Sequence, residues 1–201
     1  MTVSAKVQDT RDRLLEAAQE EFSEFGMAGA RVDRIAERSG VNKQRIYAHF
    51  GNKEALFGAV LVRVYEHMGK EVPIPTTEEG LRNYVGEVFD YHRRSGDLVR
   101  LLAWEGLLYR DKPIPNEKER EQYYTYKTAA LSVALGIDDP TAAARVLIAL
   151  IGLASWVFIV PQQRRLMLGP DHDSEASWAL LRANVTASGH TVIDLALRGM
   201  A

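Results

Sequence analysis

Between Arg31 and Lys53 the chain reads RVDRIAERSGVNKQRIYAHFGNK, and its second half carries a run of side chains able to contact nucleic acid. Lys43 and Arg45 can donate to the O6 and N7 acceptors of guanine, and Gln44 can pair with the N6 and N7 edge of adenine. Tyr47, His49 and Lys53 suit phosphate oxygens, contacts that set register without reading sequence. Arg31 is a further candidate at the opposite end. Basic residues at 31, 34, 38, 43, 45 and 53 face only Asp33 and Glu37, six against two, or +4 locally in a chain of net charge −2. A slightly acidic chain can grip a polyanion only by concentrating positive charge in this way.

Enzyme chemistry is poorly served. There is no cysteine, which excludes disulfides, thiolate metal sites and cysteine nucleophiles and is compatible with a reducing cytoplasm. The histidines at 49, 67, 92, 172 and 190 show no metal-binding spacing. Asp171-His172-Asp173 falls in a Gly-Pro loop and reads as solvated. Neither a phosphate-cradling glycine loop nor a nucleophile elbow is present. The expectation is no enzyme, no cofactor and no metal.

The elements that must position the basic stretch are helices. A first helix is expected from Asp9 or Thr10 to Phe25, with Leu14, Leu15, Ala18, Phe22 and Phe25 at three- and four-residue spacing and Gly26 closing it. A second runs near Val32 to Ser39 and stops at Gly40. A third follows Asn42, an N-cap type, and ends before Gly51. Asn52 can cap a fourth, reaching about residue 69. The second and third are too short to persist alone and must pack on each other and on the first. Ala36 permits a close crossing, Gly40 a tight turn, and Val41 with Ile46 a small core, the order of a helix-turn-helix. A solvated basic hairpin is the bland alternative, and these four residues weigh against it.

Beyond Pro73 and Pro75 further helices are expected near 77–94, 97–110, 116–135, 140–160 and 174–198, nine in all, with Pro161 through Pro170 as the last break. No convincing strand and no internal repeat appears. The N-terminus has no apolar signal region. The longest uncharged apolar run, Val146 to Ile159 with its neighbours, is near 15 residues, short of the roughly 20 that a spanning helix needs. A buried helix, and no membrane partner, is the expectation.

The basic stretch resembles the DNA-binding domain of the tetracycline-repressor (TetR/AcrR) family. The resemblance rests on Phe22, Gly26, Ile35, Ala36, Gly40, Val41, Ile46, Tyr47, His49, Phe50, Lys53 and Leu56, above all on Ile46-Tyr47-Ala48-His49-Phe50 followed by Asn52-Lys53-Glu54-Ala55-Leu56. It covers about a quarter of the chain. The sequence departs from the family where a threonine commonly caps the second helix and touches phosphate: Ala30, Arg31 and Val32 occupy that corner. Gln44 and Arg45 also stand where small residues are common, which implies an operator of its own.

The resemblance implies an all-α, cytoplasmic regulator of transcription, a repressor released from a palindromic double-stranded DNA operator by a small-molecule effector. Residues 1–53 would bind DNA and residues 54–201, linked through the helix at 53–69, would bind effector and dimerise. A homodimer fits the requirement that two recognition helices lie about 34–36 Å apart. The last two long helices offer its surface, with Ile151, Ser155, Leu181, Val185, Ser188 and Val192 as candidates; an internal helix pair has the same periodicity. Tyr84, Val88, His92, Trp104, Glu105, Tyr124 and Trp156 are the effector candidates, since pockets are apolar and aromatic with a few placed polar groups. Glu105, among Leu101, Leu102, Leu108 and Tyr109, must meet a basic side chain, a tyrosine hydroxyl or a ligand cation if it is buried. The remaining alternative is a helical scaffold without sequence-specific DNA binding, which a weak salt dependence would reveal.

Overall fold

The structure, a computed structural model, describes residues 3–198, with side chains from residue 8 onward. Among these the chain is helical without a strand: α1 (Val3–Gly29), α2 (Val32–Ser39), α3 (Lys43–Phe50), α4 (Lys53–Glu71), α5 (Glu78–Arg94), α6 (Asp97–Tyr109), α7 (Glu117–Leu135), α8 (Pro140–Ile159), α9 (Pro161–Leu168) and α10 (Glu175–Arg198), with a 3-10 turn at Gly169–Asp173. The all-α expectation holds, with one helix more than the nine expected. Pro161, read from sequence as a break, opens α9 instead. Proline is well tolerated there, because the first N–H groups of a helix have no internal acceptor.

The chain falls into two compact units, one comprising residues up to 67 with 100–120, the other 68–99 with 121 onward. This grouping differs from the expected division after residue 53: most of α4 and the 100–120 segment pack with the first three helices. In the first unit Leu14, Ala18, Phe22, Ile35, Leu56, Phe57 and Val60 are fully buried. Phe22 and Phe57 meet edge to face at 5.1 Å. The regular path of α1 is broken at Gly26, which adopts φ 63° and ψ 179°, in line with a helix expected to end at Phe25. Residues 100–120 are seated on α1: Arg100 Nε donates to the Ser23 carbonyl at 3.0 Å, and the Trp104 ring lies against Gly26.

In the second unit α5 is central. Its Leu81, Tyr84, Val85, Val88, Phe89 and His92 are all buried, and it packs on α8 and α10, which also pack on each other. Gly189 of α10 allows a close approach inside the chain: a Cβ there would come within 2.9 Å of Val85 on α5. Helix α8 has 20 residues, matching the helix expected at 140–160, and it includes Arg145 ahead of the uncharged apolar run. By length and composition it could cross a membrane, and 28% of its most apolar stretch is buried in the chain. Ala143, Leu147, Leu150, Ala154 and Ser155 form that buried face. Ile148, Gly152, Trp156 and Ile159, spaced four, four and three apart, are exposed on the other.

Candidate functional site

Helix α3 is held by local chemistry at both ends. Gly40 adopts the left-handed conformation, φ 68° and ψ 17°, that turns the chain between α2 and α3. Ser39 Oγ donates to the Ile35 carbonyl at 2.7 Å and accepts from the Val41 N–H at 3.3 Å, bracing that turn. Asn42 Oδ1 accepts from the Arg45 N–H at 2.8 Å and caps α3; Asn52 Oδ1 does the same for α4 with the Ala55 N–H, at 2.7 Å. Such caps are worth about 1 kcal/mol each, enough to matter for an eight-residue helix. Ile46 is the buried residue of α3, so one aliphatic anchor turns Lys43, Gln44, Arg45, Tyr47 and His49 outward into solvent.

The charges around α3 are not equivalent. Lys43 Nζ stands 2.8 Å from Asp33 on α2, and that hydrogen bond and charge raise the lysine pKa and lower that of the aspartate. Lys53 Nζ donates to the Ala30 carbonyl at 3.1 Å, tying α4 to the corner before α2. Arg38 stands 3.6 Å from Glu20. Among the described residues the Arg31 and Arg45 side chains make no ion pair, which leaves Arg45 on α3 available to a base edge.

Sequence reasoning missed Glu21. Arg31 is the N-cap of α2 and supplies no side-chain cap. Glu21, fully buried on α1, takes over: its carboxylate accepts from the Arg31 N–H at 2.8 Å and from Arg34 Nε at 2.8 and 3.0 Å. Burial pushes the Glu21 carboxyl up, but hydrogen bonds from Arg34 and Arg31 and the charges of Arg34 and Arg38 hold it below its ordinary value. Arg34, also stacked over Phe25 at 4.2 Å, is therefore structural. The missing threonine cap is replaced by an acid ten residues upstream. The signal was legible: Glu21 shares the stripe of Leu14, Ala18 and Phe25, an acid on an apolar face.

The effector candidates fall into separate groups. Trp104 and Glu105 belong to the first unit. Glu105 meets Arg120 in a buried fork, Oε1 to Nη1 at 2.6 Å and Oε2 to Nη2 at 2.7 Å, with Arg120 Nη2 also 3.3 Å from Tyr65 Oη. Of the three partners open to Glu105, the basic side chain is the one present. In the second unit Tyr84, Val88 and His92 line one buried face of α5. Lys127 of α7, buried and not foreseen, donates to Tyr84 Oη at 2.8 Å and lies over the Tyr123 ring at 4.7 Å. Burial lowers its pKa to about 8. His92 Nε2 is 3.3 Å from Ser155 Oγ of α8, and burial together with the Lys127 charge lowers the imidazole to about 4. Burial and the Glu87 charge push the Tyr84 phenol well up.

Tyr124 instead lines an open groove of about 830 Å³ along α7 and the turn into α8, with Thr128, Val133, Ile137 and Pro140, a groove whose lining does not include Lys127. Trp156 is half exposed and donates to Gln163 Oε1 at 3.1 Å. Of the six residues expected at a dimer surface, Ser188 is exposed, Ile151, Leu181, Val185 and Val192 are half-buried, and Ser155 is inside on His92. The Asp171-His172-Asp173 segment is tied down: Arg164 Nη1 donates to the His172 carbonyl at 2.6 Å, and Trp178 Nε1 to Asp173 at 3.1 Å.

Comparison with known proteins agrees with this geometry. The family of bacterial regulatory proteins described as tetR matches residues 14–60, and the tetracyclin repressor-like C-terminal domain matches residues 80–187. The HTH-type transcriptional repressor SCO4008 of Streptomyces coelicolor is 35% identical over 92% of this chain and 95% of its own. The HTH-type transcriptional repressor NicS of Pseudomonas putida is 35% identical over 49% of each chain. Among solved structures, the SCO4942 protein of Streptomyces coelicolor superposes with a TM-score of 0.70 at 28% identity, over 90% of this chain and 97% of that one.

Proposed function

The chain belongs to the tetracycline-repressor (TetR) family of DNA-binding transcriptional regulators, and from that premise we propose a homodimeric cytoplasmic repressor that a small-molecule effector releases from a palindromic operator. Residues 1–53 contact DNA and residues 54–201 take the effector and dimerise. The observation that carries the reading is α3 itself: one buried isoleucine holds a helix whose remaining polar and basic side chains all face solvent. Arg45 and Gln44 read base edges, Lys43 joins them by exchanging Asp33 for DNA, and Arg31, Tyr47, His49 and Lys53 hold phosphates. No catalytic role is proposed for any residue.

The dimer reading draws support from the exposed apolar faces of the second unit. Ile148, Gly152, Trp156 and Ile159 on α8 and Leu180, Ala187 and Leu195 on α10 are uncovered, and adjoining apolar stripes of this kind mark association surfaces. The contact face is thus rotated by about one residue from the set expected on periodicity. An effector acts by preferring the form that does not bind DNA.

Fluorescence anisotropy on the duplex upstream of the protein's own gene, and on sequences selected from a random pool, tests this. Tight, salt-dependent binding is expected, and Arg45→Ala should cost about 1–3 kcal/mol at one base position while leaving non-specific binding largely intact. Failure to bind any selected duplex sinks the reading.

A further inference from the structure

We infer that the effector is an organic anion, its carboxylate received by Lys127 with Tyr84, His92 and Ser155 and its aromatic or aliphatic body lying toward Phe158. The inference deepens the effector reading above and rests on it. An ammonium has three N–H donors and no acceptor. Lys127 gives one to Tyr84 Oη and rests on the Tyr84 and Tyr123 rings, at 5.6 and 4.7 Å. Among the described residues no carboxylate pairs with it, although it is 3% exposed. His92 Nδ1 is buried without a hydrogen-bond partner, and Ser155 Oγ stands at the other ring nitrogen. Three helices, α5, α7 and α8, thus converge hydroxyls, an imidazole and a cation on one place. What the cluster lacks is a negative, acceptor-only group.

The neighbouring surface suits an apolar body. The Phe158 ring centroid lies 5.9 Å from that of His92 and 5.0 Å from that of Phe89, and Phe158 stacks on Trp178 at 5.5 Å. A neutral ligand would leave the ammonium unanswered, and a cation would meet a like charge. Tyr84, His92 and Lys127 are each at most 3% exposed, so a ligand reaches them only as these helices part. Binding therefore selects a changed form of the unit, which is what release from DNA requires.

The test uses the full-length protein at neutral pH, with phenylacetate, indole-3-acetate and octanoate, their three amides, and phenethylamine, read by thermal shift and calorimetry. At least one carboxylate should raise the melting temperature where its amide does not. Lys127→Met should weaken that carboxylate by about 30-fold or more, with Lys127→Gln as a second variant and circular dichroism confirming both folds. The inference is overturned if no carboxylate at about 5 mM shifts the wild type, if the amide or amine matches it, or if the variants still take it. Operator binding is measured in parallel. DNA binding without carboxylate binding overturns this inference alone, and Lys127-dependent carboxylate binding without DNA binding overturns the regulator reading alone.

Discussion

Arg120 and Lys127 sit two turns apart on α7, both buried, and their surroundings could hardly differ more. Arg120, in the first unit, has its charge answered: Glu105 takes both arms of its fork and Tyr65 adds a hydroxyl, with only Nε left without a hydrogen-bond partner. Burial works against its charge, but the Glu105 hydrogen bonds and the neighbouring charges raise its pKa further above the ordinary arginine value. Lys127, in the second unit, has a phenol and two aromatic faces, and burial drags its pKa down to about 8. A buried cation paired with a carboxylate is architecture. One without such a partner costs stability at every pH where it stays protonated, and a ligand can recover that cost.

The largest effect should come from breaking the Glu105–Arg120 ion pair. Glu105→Ala leaves the Arg120 guanidinium buried and unpaired, an expected loss of about 3–5 kcal/mol in urea unfolding, whereas the double change Glu105→Leu with Arg120→Met should recover most of it. A double variant as unstable as the single would mean that Tyr65 and the packing, not charge, decide this region.

The incomplete site should behave in the opposite sense. Lys127→Met removes a cation whose pKa lies about 2.5 below its ordinary value, so it should stabilise the fold by up to about 3 kcal/mol at pH 7. In the wild type the lysine is deprotonated in the folded state from about pH 8 while the unfolded chain keeps its proton to about 10.5. Stability from this group therefore rises across that window, and the rise should vanish in Lys127→Met. His92 adds the acid limb. The unfolded chain takes up its proton near pH 6.5 and the folded one only near 4, so about 3 kcal/mol is lost as pH falls through that interval. His92→Asn should flatten this limb. A Lys127→Met protein less stable than wild type at pH 7 would place Lys127 with Arg120 as architecture.

The smallest effect belongs to an exposed pair. Asp33→Asn frees Lys43 from a contact open to water on both sides. Folding stability should be unchanged, because such pairs are screened, while operator affinity rises a few-fold at low salt as a negative charge beside α3 is lost. Unchanged affinity would show that Lys43 takes no part in DNA contact.

The DNA-binding half was legible because its determinants are local. Asn42 and Asn52 cap within three residues, Gly40 turns the chain where it stands, and Ile46 fixes which way α3 faces. Glu21 escaped because its partners lie ten and thirteen residues away on another helix, and α9 escaped because proline is as good an opening as a stop. For Lys127 a faint trace exists: Arg120, Tyr123, Lys127, Leu131 and Leu135 recur at helical spacing, placing two cations on the stripe that becomes buried.

By itself, then, the sequence determined an all-α chain, the helix-turn-helix and the outward-facing residues of its recognition helix, since caps, turns and short-period packing act over a few residues. Tertiary structure alone decided that Glu105 is answered by Arg120, that Lys127 is not answered by any carboxylate among the described residues, and which faces of α8 and α10 remain uncovered. Periodicity shows that a helix has an apolar side. Only the packing of distant segments decides what that side meets, and the energy of a buried charge depends almost wholly on its partner.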